Sequence, residues 1–142
     1  MSLLNAIAVS ATGLTAQRRR LEVLVSNLAN VNTTRPEGEE PFRRKDVVFN
    51  TVTPQNSFKS ELNNAVKGVE VSGIYTDRKT PLVKKHEPGH EHADAQGYLY
   101  YPNINPMTEM VNVMSATRSY EANLQAVKSA KEMAMKTLEI LR

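Results

Sequence analysis

The stretch L-L-N-A-I-A-V-S-A-T-G-L-T-A-Q-R-R-R-L-E-V-L-V-S-N-L-A-N-V, residues 3–31, decides the fold class of this chain. Ile7, Leu14, Leu21 and Leu28 recur in steps of seven, and Leu3, Leu4, Ala11, Leu24, Val25 and Val31 fill positions three or four residues away. Apolar residues at that spacing line one side of a helix and make a seam for another. A matching stripe stands at the far end, where Met110, Thr117, Leu124, Lys131 and Leu138 step likewise, flanked by Val113, Met114, Tyr120, Val127, Ala134 and Leu141. Two helical ends around a polar, turn-rich middle predict a mainly α chain with a small β insert. The long N- and C-terminal helices are expected to form an antiparallel coiled-coil layer, with a short strand-bearing middle segment between them. The threonine and lysine positions narrow the second seam, so the pair is expected to need further neighbours for its stability.

The first helix is expected to begin after Ser2, an N-cap, and to end at Ala29 or Val31, where Asn30, Asn32, Thr33, Thr34 and Pro36 follow. Gly13 interrupts it at a cost of about 1 kcal/mol relative to alanine, which points to a bend or a close helix contact. Arg35 to Pro41 reads as a loop, with Pro36, Gly38 and Pro41 among charges. Strands are predicted at Asp46–Asn50 and Val69–Tyr75, with a short edge piece at Pro81–Lys85 and a last extended piece at Gly97–Tyr101. Pro102, Asn103 and Pro106 end that piece, and the C-terminal helix follows from about Met107. The implied division is residues 1–34, 35–106 and 107–142.

With 142 residues the chain has room for one ordinary domain and a thin core. It has no cysteine, no apolar run near the roughly 20 residues of a bilayer span, and no basic leader followed by an apolar block and cleavage site. Direct membrane insertion is therefore not expected. The net charge is only +3, and the one tight basic cluster is Arg18, Arg19 and Arg20. Without stacking aromatics or a second basic stripe these arginines read as a solvated helix face, and nucleic acid is not an expected partner. Arg18 lies near the seam, where its guanidinium can reach a carboxylate on a neighbouring helix.

The run K-K-H-E-P-G-H-E-H-A-D, Lys84 to Asp94, is the one cluster resembling a metal site. His86, His90 and His92 with Glu87, Glu91 and Asp94 are ligand types that zinc or nickel uses, and a metal-dependent hydrolase would be built on them. Pro88 and Gly89 forbid the helical H-E-x-x-H arrangement, so a solvated polar loop is the preferred reading and neither metal nor cofactor is expected. No Gly-rich phosphate loop or G-x-S-x-G is present, and no enzyme is read here. Met107, Met110, Met114, Met133 and Met135 stand at helical spacing and are read as core, with an adaptable binding surface as the alternative. The run S-N-L-A-N-V-N-T-T, Ser26 to Thr34, has two readings: a helix C-terminus satisfied by asparagine amides, or hydrogen bonds from Asn27 and Asn30 to neighbouring subunits.

S-N-L-A-N-V-N-T-T-R, Ser26 to Arg35, resembles the A-N-x-N-T signature of the flagellar rod and hook proteins. F-R-R-K-D-V-V-F at Phe42–Phe49 and E-P-G-H-E-H-A-D-A-Q-G-Y-L at Glu87–Leu99 look like the proximal-rod branch of that family. Y-P-N-I-N-P-M-T-E-M at Tyr101–Met110, R-S-Y-E-A-N at Arg118–Asn123 and K-E-M-A-M-K-T-L-E-I at Lys131–Ile140 do likewise, so the resemblance spans essentially the whole chain. Glu91 and His92 stand where relatives often have proline and aspartate, which puts the shape of that loop in doubt.

The resemblance implies a structural subunit exported by the flagellar type III apparatus without a cleaved signal peptide. It would polymerise in the periplasm with copies of itself and other rod proteins. The shaft so formed would be hollow, transmitting torque and passing export substrates. It implies subunit-interaction roles for Asn27, Asn30, Asn32, Asn103, Asn105, Glu109, Arg118, Tyr120, Glu121 and Asn123, beside the seam residues Leu14, Leu21, Leu28, Met110, Leu124 and Leu138. Intramolecular capping and pairing is the alternative for the polar ones; Arg118 and Glu121 are spaced to bridge each other. A type III secreted helical effector or adhesin is the alternative function.

Overall fold

The computed structural model describes residues 3–36, 38–52 and 67–140. Ser2 and Leu141 of the expectations above, and the side chain of Leu4, lie outside what is described. Helix α1 runs Leu3–Ala29, strands β1 and β2 run Lys45–Val52 and Gly68–Thr76, strands β3 and β4 run Val83–His86 and Tyr98–Tyr101, and helix α2 runs Pro106–Ile140. The architecture is mainly helical with a small β insert, as expected.

Helix α1 stops where its amides turn inward. Asn30 N–H is shared between the carbonyls of Ser26 and Asn27, both at 3.2 Å, and Asn30 Nδ2 donates to the Ser26 carbonyl at 2.8 Å. Helix α2 is started by Asn105, whose Oδ1 accepts from Met107 N–H at 3.0 Å and Thr108 N–H at 3.3 Å, with Pro106 supplying a fixed φ and no orphan donor at the first helical position.

The helices pack antiparallel. Gly13 lies against Asn123, and Asn27 is hydrogen-bonded to Glu109, so fourteen residues separate the two contact points on each helix (27 − 13 on α1, 123 − 109 on α2). Continued at that spacing, Leu3 comes level with Met133, and α2 runs on past the described start of α1 from Ala134 to Ile140. At about 1.5 Å per residue the 27 residues of α1 span about 40 Å and the 35 of α2 about 52 Å.

The insert is two separate antiparallel hairpins, β1–β2 and β3–β4. In the first, Val48 pairs with Gly73 and Phe49 with Val71, leaving Ser72 as the extra residue of a bulge. The start of β2 docks on α1 through Thr12, whose Oγ1 accepts from Val69 N–H at 3.1 Å while donating to the Val9 carbonyl at 2.7 Å. The second hairpin buries Leu99 and holds Lys84 over the rings of Tyr98 and Tyr100, 3.9 and 5.7 Å from their centroids. The loop before β4 closes on Asp94, whose Oδ1 accepts from Gln96 N–H at 3.0 Å and Tyr98 N–H at 2.7 Å. Gly97, at φ +78°, occupies a left-handed position there, and a Cβ would come within 2.9 Å of Pro88 Cβ.

Among the described residues the buried apolar ones include Ala16, Val23, Leu24, Leu99, Pro102, Ile104, Ala116 and Ala130. On α2 the seam therefore follows Glu109, Ala116, Asn123 and Ala130, one residue ahead of the expected Met110, Thr117, Leu124 and Lys131. One residue is about 100° of helix, so the large apolar side chains expected inside are turned out. The cause is close approach: small residues at the contact let the backbones come near, and Gly13 is a contact point.

Candidate assembly interface

The expected site residues separate into an internal joint and an outward surface. The joint forms where the end of α1, the start of α2 and the insert meet. Asn27, fully buried, donates from Nδ2 to the Lys45 carbonyl at 2.7 Å and to Glu109 Oε2 at 3.2 Å, while its Oδ1 accepts from Lys45 N–H at 3.0 Å. Every hydrogen-bonding atom of its amide group is engaged within the chain. Glu109, 1% exposed, accepts on its other oxygen from Arg44 Nε at 2.7 Å, and Arg44 Nη2 reaches Asp46 Oδ2 at 3.2 Å. The Glu109 carboxylate holds the Arg44 guanidinium above its ordinary pKa through that hydrogen bond.

Asn103 completes the joint. Its Oδ1 accepts from Arg44 N–H at 2.8 Å, and its Nδ2 donates to the carbonyls of Asp77 and Thr80 at 3.1 and 3.3 Å. A buried carboxylate is tolerated here because both of its oxygens have a donor, one of them charged. Arg44 and Lys45 were missed as joint residues by sequence reasoning. Their only signal is their place in F-R-R-K-D, since 65 residues separate Arg44 from its carboxylate partner.

Asn30 and Asn105 serve as the C-terminal and N-terminal helix caps described above. Asn123 donates to the Ser119 carbonyl at 3.0 Å on its own helix and packs on Gly13. Asn32, Arg118 and Glu121 are exposed, and Arg118 and Glu121 form no ion pair with each other among the described residues. Tyr120 is half-buried, as are Leu14, Leu21 and Leu28. Arg18 and Arg19 both pair with Glu22 of their own helix, at 3.7 and 2.8 Å, rather than with a neighbouring helix.

The outward surface is apolar where a solitary helix would be polar. Met107, Met110, Val111 and Met114 are 70, 48, 60 and 54% exposed. At about 100° per residue Met107, Val111 and Met114 lie opposite the line of Glu109 and Ala116. Near the other end Met133, Met135, Leu138 and Ile140 are exposed, the last three on the overhang beyond α1. Leu124 is 37% exposed. The reading of the methionines as core is thus corrected: all five on α2 face solvent in the single chain, because alanines take the seam.

The histidine loop is tied to its surroundings. Thr34 Oγ1 and His92 Nδ1 lie 2.8 Å apart, His90 Nδ1 accepts from His92 N–H at 3.1 Å, and His86 leans on Tyr98 at 4.9 Å between ring centroids. Among the described residues no group of three or more His, Asp or Glu side chains is placed to hold a metal ion, and no helix is long and apolar enough to cross a membrane.

Comparison with known proteins follows the same geography. Residues 7–36, which hold most of α1 and its cap, match the family described as flagella basal body rod protein, and residues 95–140, which hold β4 and α2, match the flagellar basal body rod FlgEFG protein C-terminal family. The flagellar basal-body rod protein FlgC of Bacillus subtilis is 44% identical over 99% of this chain and 99% of its own length. The chain belongs to the FlgC family of flagellar basal-body rod proteins. The FlgC proteins of Borreliella burgdorferi and Salmonella typhimurium are 39 and 40% identical, covering 100 and 99% of this chain. A FlgC-family chain is thus a rod protein of the flagellar basal body, and its two family-matched segments are the two helical ends that the joint ties together.

Proposed function

We propose that this chain is a structural, non-enzymatic subunit of the proximal rod, polymerising with copies of itself and with other rod proteins into a hollow shaft. The observation that carries the reading is helix α2, which has a seam filled by α1 and, on its other side, a second apolar surface that is exposed among the described residues. A helix apolar on both sides is at home only between neighbours. Residues 1–34 and 107–142 would form the inner helical layer of the tube and 35–106 its outer part. Leu14, Leu21, Leu28, Asn32, Met110, Arg118, Tyr120, Glu121, Leu124 and Leu138 would meet adjacent subunits. Asn27, Asn30, Asn103, Asn105, Glu109 and Asn123, whose hydrogen bonds lie within the chain, would act on assembly by fixing the shape of the protomer.

Long helices lying along such a shaft would resist twisting, which suits transmission of motor torque, and a hollow centre would pass later export substrates. The chain would reach the periplasm through the flagellar type III export apparatus without cleavage of a leader. Electron microscopy of basal bodies from a strain lacking the chain tests the reading, with swimming scored in the same culture. Rings without a rod in non-swimming cells are expected. Complete rods with normal swimming would remove it.

A further inference from the structure

Among the described residues, the exposed methionines on α2 are oxidisable side chains that the joint and the seam leave unused. Met107, Met110 and Met114 are 70, 48 and 54% exposed; Met107 and Met114 stand with Val111 on the side of the helix away from Ala116 and Glu109, and Met110 stands on the flank. None takes part in the joint or the seam. A thioether with this exposure is open to oxidants, and its sulfoxide is polar where the sulfide was apolar. We propose that Met107, Met110 and Met114 form an oxidant-sensitive modification site, at which conversion to sulfoxide leaves the protomer folded but stops its outer face from packing on a neighbour.

The oxidant is a peroxide. Methionine sulfur attacks one oxygen of hydrogen peroxide, the O–O bond breaks, an S–O bond forms, and the proton on the transferred oxygen passes to the second oxygen, which leaves as water. Sulfur loses two electrons and the peroxide gains them. The fold should survive because all three side chains already meet water in the single chain, so a new S=O is solvated. The packing should not, because three polar groups within two turns of helix would have to be desolvated against a neighbour without partners. The site is open only until a neighbour covers it, so newly delivered subunits are the vulnerable ones. This last consequence rests on the assembly reading; the modification itself does not.

Two experiments separate the two claims. Purified full-length protein is treated with hydrogen peroxide and mapped by peptide mass spectrometry, with helicity followed by circular dichroism. One added oxygen at each of the three positions, at the rate of free methionine and with helicity unchanged, is expected. Protection of all three, or loss of helicity as they oxidise, overturns the site. In cells whose only copy carries Met107→Gln, Met110→Gln and Met114→Gln together, as a polar mimic of the sulfoxide, swimming should be lost without peroxide. A peroxide dose that stops the unmodified strain should leave one added oxygen at each of the three positions in newly made chain, and swimming should return as methionine sulfoxide reductase removes those oxygens. A swimming glutamine variant, or return of swimming with all three sulfoxides still in place, overturns the proposal. If a strain lacking the chain altogether swims, it is the assembly reading that has failed, and the oxygen mapping still decides the modification site.

Discussion

Asn27 holds the Lys45 peptide as a neighbouring β-strand would, donating to its carbonyl at 2.7 Å and accepting from its N–H at 3.0 Å. The amide is fully buried, and the same Nδ2 also serves Glu109. Truncation would orphan a peptide and weaken a buried carboxylate at once.

Asn27→Ala is therefore expected to cost about 3 kcal/mol, since each buried polar group left unpaired costs roughly 1–3 kcal/mol. Asn27→Asp should cost more, because it replaces the Nδ2 donor with a second carboxylate facing Glu109. Urea unfolding followed by circular dichroism checks both, and an Asn27→Asp chain as stable as the unmodified one would refute the joint as described.

Gly13 and Asn123 make a second testable pair. A Cβ on Gly13 would lie 3.1 Å from Asn123 Nδ2, tighter than ordinary contact. Alanine in a helix gains about 1 kcal/mol over glycine, and here the contact should cancel that gain. Gly13→Ala alone is expected to be nearly neutral, whereas Gly13→Ala in an Asn123→Ala background should stabilise by about 1 kcal/mol relative to Asn123→Ala. Simple additivity of the two changes would mean that the helices do not meet at this point.

The helices and strands were legible in the sequence because periodicity reports which face of an element is apolar, and β1, β2 and α1 begin and end within about two residues of expectation. The facing of α2 was not legible. Periodicity favours the largest apolar residues, and α2 instead buries Glu109, Ala116 and Ala130 while exposing Met110, Met114 and Leu138. A helix meant to be covered on two sides carries two apolar stripes, and nothing local says which one its own chain will cover. Glu109 escaped for another reason: a carboxylate is read as surface unless its cation is known, and Arg44 lies far away in sequence. Asn30 caps the end of α1 through its Nδ2, one of the two roles its residue type left open.

The β3–β4 hairpin should open at both ends of the pH scale. Lys85, bonded to Glu87, holds that carboxyl below its ordinary 4.5, with a further bond from Tyr101 Oη at 3.1 Å. Stability from this group is complete above 4.5 and is lost as pH falls through the lower folded value. Desolvation and the bond to Glu87 raise Tyr101 above 10.0, and the bond to Glu87 raises Lys85 above 10.5. Their contribution is complete below 10.0 and is lost as pH rises through the folded values. Amide exchange of β3 and β4 across pH checks this, and Lys85→Met should move the acid opening to higher pH.

The two sides of α2 should respond differently to the same charge. Ala116 is fully buried against α1, so Ala116→Asp places a carboxylate in the seam with no cation beside it, and the helix pair is expected to unfold. Met110 and Leu124, at 48 and 37% exposure, already meet water in the single chain. Met110→Asp or Leu124→Asp should change the stability of the protomer by less than about 1 kcal/mol. In a growing rod either carboxylate would have to be buried against a neighbour, and several kcal/mol would be lost at every repeat of the contact. Protein of normal stability and expression, in cells that make no rod, is the expected result. Swimming cells carrying Met110→Asp and Leu124→Asp together would show that this side of α2 stays in solvent and that assembly uses another surface.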